Sequence, residues 1–235
     1  VLLLLQSGLP EPGPLSLFFK GLALATGLVL VLLGRDVGGD EHPAEYHACL
    51  LLITAGASLA GCANDLITLF LALELISIPT YVLLYLGRRT MANQEAAMKY
   101  FLLSVFSSGL LLFGFSYLYG VTGTTNIPAI IDALAPGREI AAKAPWRGLI
   151  LISLVMVVAG LGFRVTAVPF HFWCPDAFEG ASAEVAGFLS VASKGAAFAV
   201  LIRLCQALVG TSPDTSVLSP LYLNVGIGIG IIAAL

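Results

Sequence analysis

DLITLFLALELISIPTYVLLYLG, residues 65–87, is an apolar run interrupted at its centre by a single charge, Glu74. About 20 apolar residues in a helix cross the hydrocarbon core of a bilayer. The run is long enough to do so, and it reads as a membrane-spanning helix with a carboxylate near its middle.

Five further runs match this length, at 15–34, 46–63, 94–119, 147–173 and 183–209, and a seventh starts near 220. The connections are short except for 120–146. That loop opens with the turn-rich helix stop GVTGTTN and continues with IPAIIDALA, which predicts a short interfacial helix. Of the 235 residues, 58% are hydrophobic and 11% charged. Soluble domains carry about 25% charged residues. The mean hydropathy of +0.97 agrees, and the chain is an integral membrane protein. The net charge of −3 is too small to imply a nucleic-acid partner. Cys49, Cys62, Cys174 and Cys205 form no CxxC pair. That spacing supports neither a zinc site nor an iron–sulfur ligand set, and they read as small apolar core residues. The chain starts VLLLLQSG, with Val, and ends GIGIGIIAAL; apolar runs at both ends predict a piece of a longer membrane protein. Arg35, Arg88 and Arg89 on one side balance Lys20, Arg138, Lys143 and Arg147 on the other, with Arg203 near a helix end. The positive-inside rule therefore leaves orientation open.

Most other charges, such as Asp36, Asp65, Asp176 and Glu179, fall at helix ends or in loops, at headgroup level or capping a helix. Four do not. Glu74 and Lys194 stand near the centres of the third and sixth runs, the latter within SVASKGAAFAV at 190–200. Arg164 lies deep in the fifth run, and Lys99 one to two turns into the fourth. A charge at the bilayer centre costs at least ~2.5–3.5 kcal/mol, so such residues face a protein interior or a water-filled cavity and mark ion or proton pathways. Plainer readings stand beside this one. Glu95 and Lys99 are spaced for a local ion pair, and Arg164 can snorkel or staple two helices. Glu74 and Lys194 can form a structural buried pair, a weak stabiliser compared with apolar replacements.

Pro79 follows Glu74 by five positions, and Pro169 follows Arg164 by five. A helical proline frees the carbonyl four residues back, here that of Leu75 and Val165, each next to the charge. Broken helices at membrane depth line cavities, and transporters use them at ion sites, although proline is also commoner in membrane helices in general. Ala192, Ser193, Gly195, Ala196 and Ala197 surround Lys194 and allow close helix approach. Ser190, at i−4, is expected on the same face. Burial disfavours a lysine's charge and a nearby carboxylate favours it, so a lysine poised between the two can load and unload a proton. Arginine stays charged. His171 is either a proton shuttle or a hydrogen-bonding group at the helix break beside Trp173.

ANDLITLFLALELISIPTYVLLYL, EAAMKYFLLSVFSSGLLLFGFSYLYG and GFRVTAVPFHFWCPDAFEGASAEVAGFLSVASKGAAF together closely resemble subunit N of bacterial NADH–quinone oxidoreductase, respiratory complex I. The resemblance runs from about residue 46 to 208. The VPFHFWCPD stretch is shared with the wider antiporter-like family, including Mrp cation/proton antiporters; LELISIP and SVASK are similar to subunit N in particular. The resemblance implies an all-α, polytopic, antiporter-like transmembrane bundle with one five-helix inverted-repeat unit and a proline-broken helix. Residues 1–45 would hold the end of one helix and one complete helix, 46–209 the first repeat, and 210–235 a loop and the start of the next helix. The family carries a glutamate at the position of Glu74 and lysines at those of Lys99 and Lys194, its proton-relay positions. It often has a lysine where Arg164 stands, so the charge is kept but the exchangeable proton is not. That leaves Glu74–Arg164 as an electrostatic pair and Lys194 as the stronger candidate for proton transfer.

What the resemblance implies is a proton-translocating subunit in the bacterial inner (plasma) membrane, without redox chemistry of its own. NADH, FMN, iron–sulfur clusters and quinone would belong to partner subunits, and its neighbours would be other antiporter-like and small membrane subunits. The rivals are an Mrp-type cation/proton antiporter subunit, a non-transporting scaffold and a channel. A channel would need a polar helix face, where these helices show isolated charges.

Overall fold

The structure, a computed structural model, describes residues 14–33, 43–87, 90–134 and 144–201. The expectations for 210–235 and for Arg35, Asp36, Arg88, Arg89, Arg138, Lys143, Arg203 and Cys205 lie outside the described residues.

In chain order the helices are α1 (Pro14–Leu33), α2 (Pro43–Ala60), α3 (Leu66–Gly87), α4 (Met91–Thr122), α5 (Ile127–Leu134), α6 (Ala144–Val165), α7 (Cys174–Gly180) and α8, which begins as Ala183–Phe188. α8 passes through one π turn, Leu189–Ser193, and runs on as an α-helix over 194–201. Among the described residues, 66–86, 91–122 and 148–165 are long and apolar enough to cross a membrane; 16–32 and 185–201 are shorter apolar helices. Their outer surfaces carry large apolar side chains, such as Leu51 (64% exposed), Phe106 (64%) and Val155 (61%). A water-soluble monomer rarely exposes so much contiguous apolar surface; lipid is the solvent that suits it.

Buried hydroxyls such as Ser58, Ser77, Thr80 and Ser104 stand among large buried apolar side chains such as Ile53, Leu69 and Leu84. In lipid every backbone polar group needs a partner within the protein, and a buried hydroxyl can bond the carbonyl one turn back. Ser77 donates to Leu73 O at 2.9 Å and Thr80 to Ile76 O at 2.6 Å, on either side of Pro79. α3 is continuous through that proline.

The chain forms two compact units. Within the described residues, the first draws on α1, α2, most of α3, the first half of α4, α7 and α8. Here a Cβ on Gly27 would lie 2.5 Å from Thr54 Oγ1, and one on Gly56 would lie 2.9 Å from Ile76 Cγ1, so the helices touch backbone to side chain. The second unit draws on the entry to α3 as far as Leu66, the second half of α4, α5 and α6. Its seam brings backbone against backbone. A Cβ on Gly114 of α4 would meet Ser153 O at 2.9 Å, and one on Gly160 of α6 would meet Ser107 O at 3.1 Å. Ser107 Oγ donates to Gly160 O at 2.9 Å. Glycine at both crossing points is what lets the two backbones come this close.

α4 ends at Gly123, whose φ of +70° and N–H bond to Tyr119 O at 2.7 Å form a left-handed cap. Thr125 Oγ1 then donates to Asp65 Oδ2 at 2.5 Å, Leu66 N–H to Thr125 O at 2.9 Å, and Ile127 N–H to Asn64 O at 2.9 Å. Asn126 Oδ1 accepts from Ala129 N–H at 3.1 Å and caps α5, the short helix that IPAIIDALA predicted.

Candidate functional site

The sequence reading ran the fifth span through to residue 173, with Pro169 inside it. The helix stops earlier. Thr166 takes φ +64°; its N–H bonds Phe163 O at 3.1 Å, and Ala167 N–H bonds Gly162 O at 2.8 Å. Those two bonds make a Schellman motif with Val165 as C-cap, so α6 ends at Val165, four positions before the proline. Pro169 therefore sits in the irregular stretch 166–173 and does not act on the Val165 carbonyl from within a helix, which corrects the expectation. Phe170 folds back onto Gly162, where a Cβ would lie 3.3 Å from its ring. His171 is exposed at the end of this stretch.

Arg164 is in the last turn of α6, where the negative end of the helix dipole favours a cation. It is buried, 8% exposed, and its Nη2 donates to Ser108 Oγ at 2.9 Å. Ser108 sits one position after Ser107, so the glycine seam and the arginine share one stretch of α4. The sequence reading missed Ser108; the signal was the hydroxyl pair in an otherwise apolar run.

Glu74 is half-buried on α3, with Pro79 buried one turn on. Lys99 is on α4, its side chain 46% exposed, with Nζ 2.7 Å from both Glu95 Oε1 and Asp176 Oδ2. The first pair is the i,i+4 spacing foreseen in the sequence. The second goes beyond the sequence reading, in which Asp176 caps a helix or faces water. α4 has 32 residues and so is about 48 Å long, against about 30 Å of hydrocarbon. Glu95 and Lys99 lie in its first three turns, toward the end where the excess length forms an overhang.

Asp176 belongs to α7, which starts with a proline in its first turn, a position where the missing N–H is harmless. α7 docks on the start of α4 by three contacts. A Cβ on Gly180 would lie 2.7 Å from Ala96 Cβ; Trp173 packs on Tyr100 with ring centroids 4.6 Å apart; and Asp176 pairs with Lys99. Tyr81 extends this aromatic group to Tyr100 and Phe101 and donates to Ser104 Oγ at 2.9 Å.

Lys194 is half-buried and follows directly on the π turn of α8. Single π turns inside α-helices recur at functional sites. The extra residue shifts the register, so the expected pairing of Ser190 with Lys194 does not form: Ser190 Oγ donates to Gly187 O at 2.7 Å. Lys194 Nζ instead lies 5.5 Å from the centroid of the Phe178 ring on α7. Glu74, Lys99 and Lys194 all fall in the first unit, and Arg164 and His171 in the second. Among the described residues no three His, Cys, Asp or Glu side chains gather as a metal-binding group.

Residues 63–235 match the family model described as NADH:quinone oxidoreductase/Mrp antiporter, TM. Over 192 residues the chain is 39% identical to NADH-quinone oxidoreductase subunit N 2 of Solibacter usitatus (strain Ellin6076), covering 80% of this chain and 38% of that relative. Among solved structures, one chain of respiratory complex I from Thermus thermophilus with bound aureothin is 33% identical at a TM-score of 0.68, over 86% of this chain and 44% of that one. A chain of the Mrp complex from Dietzia sp. DQ12-45-1b is 25% identical at a TM-score of 0.67, over 85% and 36%. The chain thus spans less than half the length of the relatives it matches.

Proposed function

The chain belongs to the NADH:quinone oxidoreductase/Mrp antiporter transmembrane family, and from that premise we propose that it is part of a proton-translocating subunit of a NADH–quinone oxidoreductase. It is a multi-pass membrane protein, and its place is the bacterial inner membrane. Residues 46–209 make up the first five-helix repeat of the full-length subunit. The observation that carries this reading is the half-buried Lys194, set directly after a π turn in an otherwise apolar helix. A lysine there can exchange its proton, and its cost in lipid is hard to explain by packing alone.

In this reading Glu74 and Lys194 carry the exchangeable protons, and Arg164 is a fixed charge that exchanges none. Lys99 works at the edge of the path through Asp176. NADH, FMN, iron–sulfur clusters and quinone belong to partner subunits, so the subunit serves the enzyme without redox catalysis of its own. Its neighbours are other antiporter-like and small membrane subunits. The test is NADH-driven proton uptake by inverted vesicles carrying Lys194→Ala or Lys194→Arg in the full-length subunit, with assembly checked on native gels. Both variants should assemble and lose uptake. Normal uptake in Lys194→Ala would end the proposal, and recovery in Lys194→Arg would reduce Lys194 to a fixed charge.

The likeness to the Mrp complex chain supports a second reading, a cation/proton antiporter subunit. Sodium-dependent proton flux without NADH would favour it.

A further inference from the structure

Two lysines from distant parts of the chain meet the same seven-residue helix, α7. Asp176 pairs with Lys99 at 2.7 Å, and two positions on, Phe178 receives Lys194 with Nζ 5.5 Å from its ring centroid. Residues two apart on a helix point about 200° apart, so the two contacts leave from nearly opposite sides. An isolated helix this short is not stable in itself. Its position depends on α4, through Gly180 on Ala96, Trp173 on Tyr100 and Asp176 on Lys99. Where the Phe178 ring stands is therefore set from α4.

The contact on the other side depends on charge. A cation within about 6 Å of an aromatic centroid is held by the negative face of the ring, more strongly where water is excluded. A neutral amine has no such attraction. The π turn brings its own contribution. One extra residue ahead of Lys194 turns everything after it by about 100° relative to a straight α-helix. The ammonium reaches Phe178 from this shifted register.

Resting on the proton-translocation reading above, we infer that Phe178 is a positioning residue for Lys194: its ring holds the side chain while it is protonated and releases it when the proton has left, and Lys99 with Asp176 fixes where that ring stands. Phe178 exchanges no proton itself.

The experiment uses the full-length subunit in the assembled complex, in inverted vesicles, and reads the initial rate of NADH-driven proton uptake beside assembly. Phe178→Leu keeps an apolar side chain and removes the ring; uptake should fall roughly two- to thirtyfold. Phe178→Trp should restore it. Phenylalanine carrying one, two or three fluorines at position 178 keeps the ring and drains its negative face, so the rate should step down with each fluorine. A flat fluorine series, or full activity in Phe178→Leu, would overturn the inference and leave Phe178 as packing. If Phe178→Leu does not assemble, the fluorine series alone decides. Lys194→Ala is run in parallel: normal uptake there brings down the translocation reading itself, whereas a dead Lys194→Ala beside a flat fluorine series removes only the role of Phe178.

Discussion

Lys99 Nζ lies 2.7 Å from Asp176 Oδ2, across 77 positions of chain, and this contact ties the short helix α7 to the overhang of α4. If the two act as one unit, their variants should not add. Asp176→Asn and Lys99→Met should each loosen α7 and raise protease cleavage beside the exposed Phe172, and the double variant should be no worse than the more severe single. Limited proteolysis of the detergent-purified subunit measures this. Additive effects would mean the pair does not hold α7.

Gly160→Ala puts a methyl group 2.9 Å from Leu111 Cβ and 3.1 Å from Ser107 O. Overpacking of this kind costs about 1–3 kcal/mol. Gly148→Ala, with nothing within 4 Å, is the comparison and should leave stability unchanged or slightly higher. Thermal unfolding in detergent separates the two.

Thr166 holds a left-handed backbone at φ +64°. For a residue with a Cβ that costs about 1–2 kcal/mol, and glycine gives back part of the gain through its freedom in the unfolded chain. Thr166→Gly should therefore raise the unfolding temperature by a few degrees. A fall would show that the threonine side chain supports the end of α6.

Ser108→Ala removes the hydroxyl that accepts from Arg164. A hydrogen bond to a charged group is worth about 1.5–3 kcal/mol, against about 1 kcal/mol for a neutral one. Ser108→Ala should thus destabilise more than Ser104→Ala, which removes the acceptor of Tyr81. Equal losses would mean that Arg164 finds another partner without cost.

The helices and their apolar extents were legible because span length and hydropathy are local properties. So was the Glu95–Lys99 pair, which spacing on one helix dictates. The end of α6 was not. It depends on a threonine in a conformation that glycine normally takes, and proline was the more visible breaker. The partners Asp176, Ser108 and Phe178 were missed for a related reason. Each meets its charge from another helix, and sequence spacing carries no information about which helices touch. The π turn escaped as well, since a helix with one residue too many has the same composition as one without.

Asp65 and Thr125, joined at 2.5 Å, stand at the two ends of α3 and α4, with Leu66 and Ile127 bonded across on either side. Between them the chain runs out along one helix and returns along the next. The two ends can meet only after both helices are in the bilayer on opposite courses. Closing a loop of that size costs only slightly more entropy than closing one half as long. The cluster is thus a late event in biogenesis: it records that the hairpin has been inserted completely, and a hairpin threaded only halfway has no means of forming it.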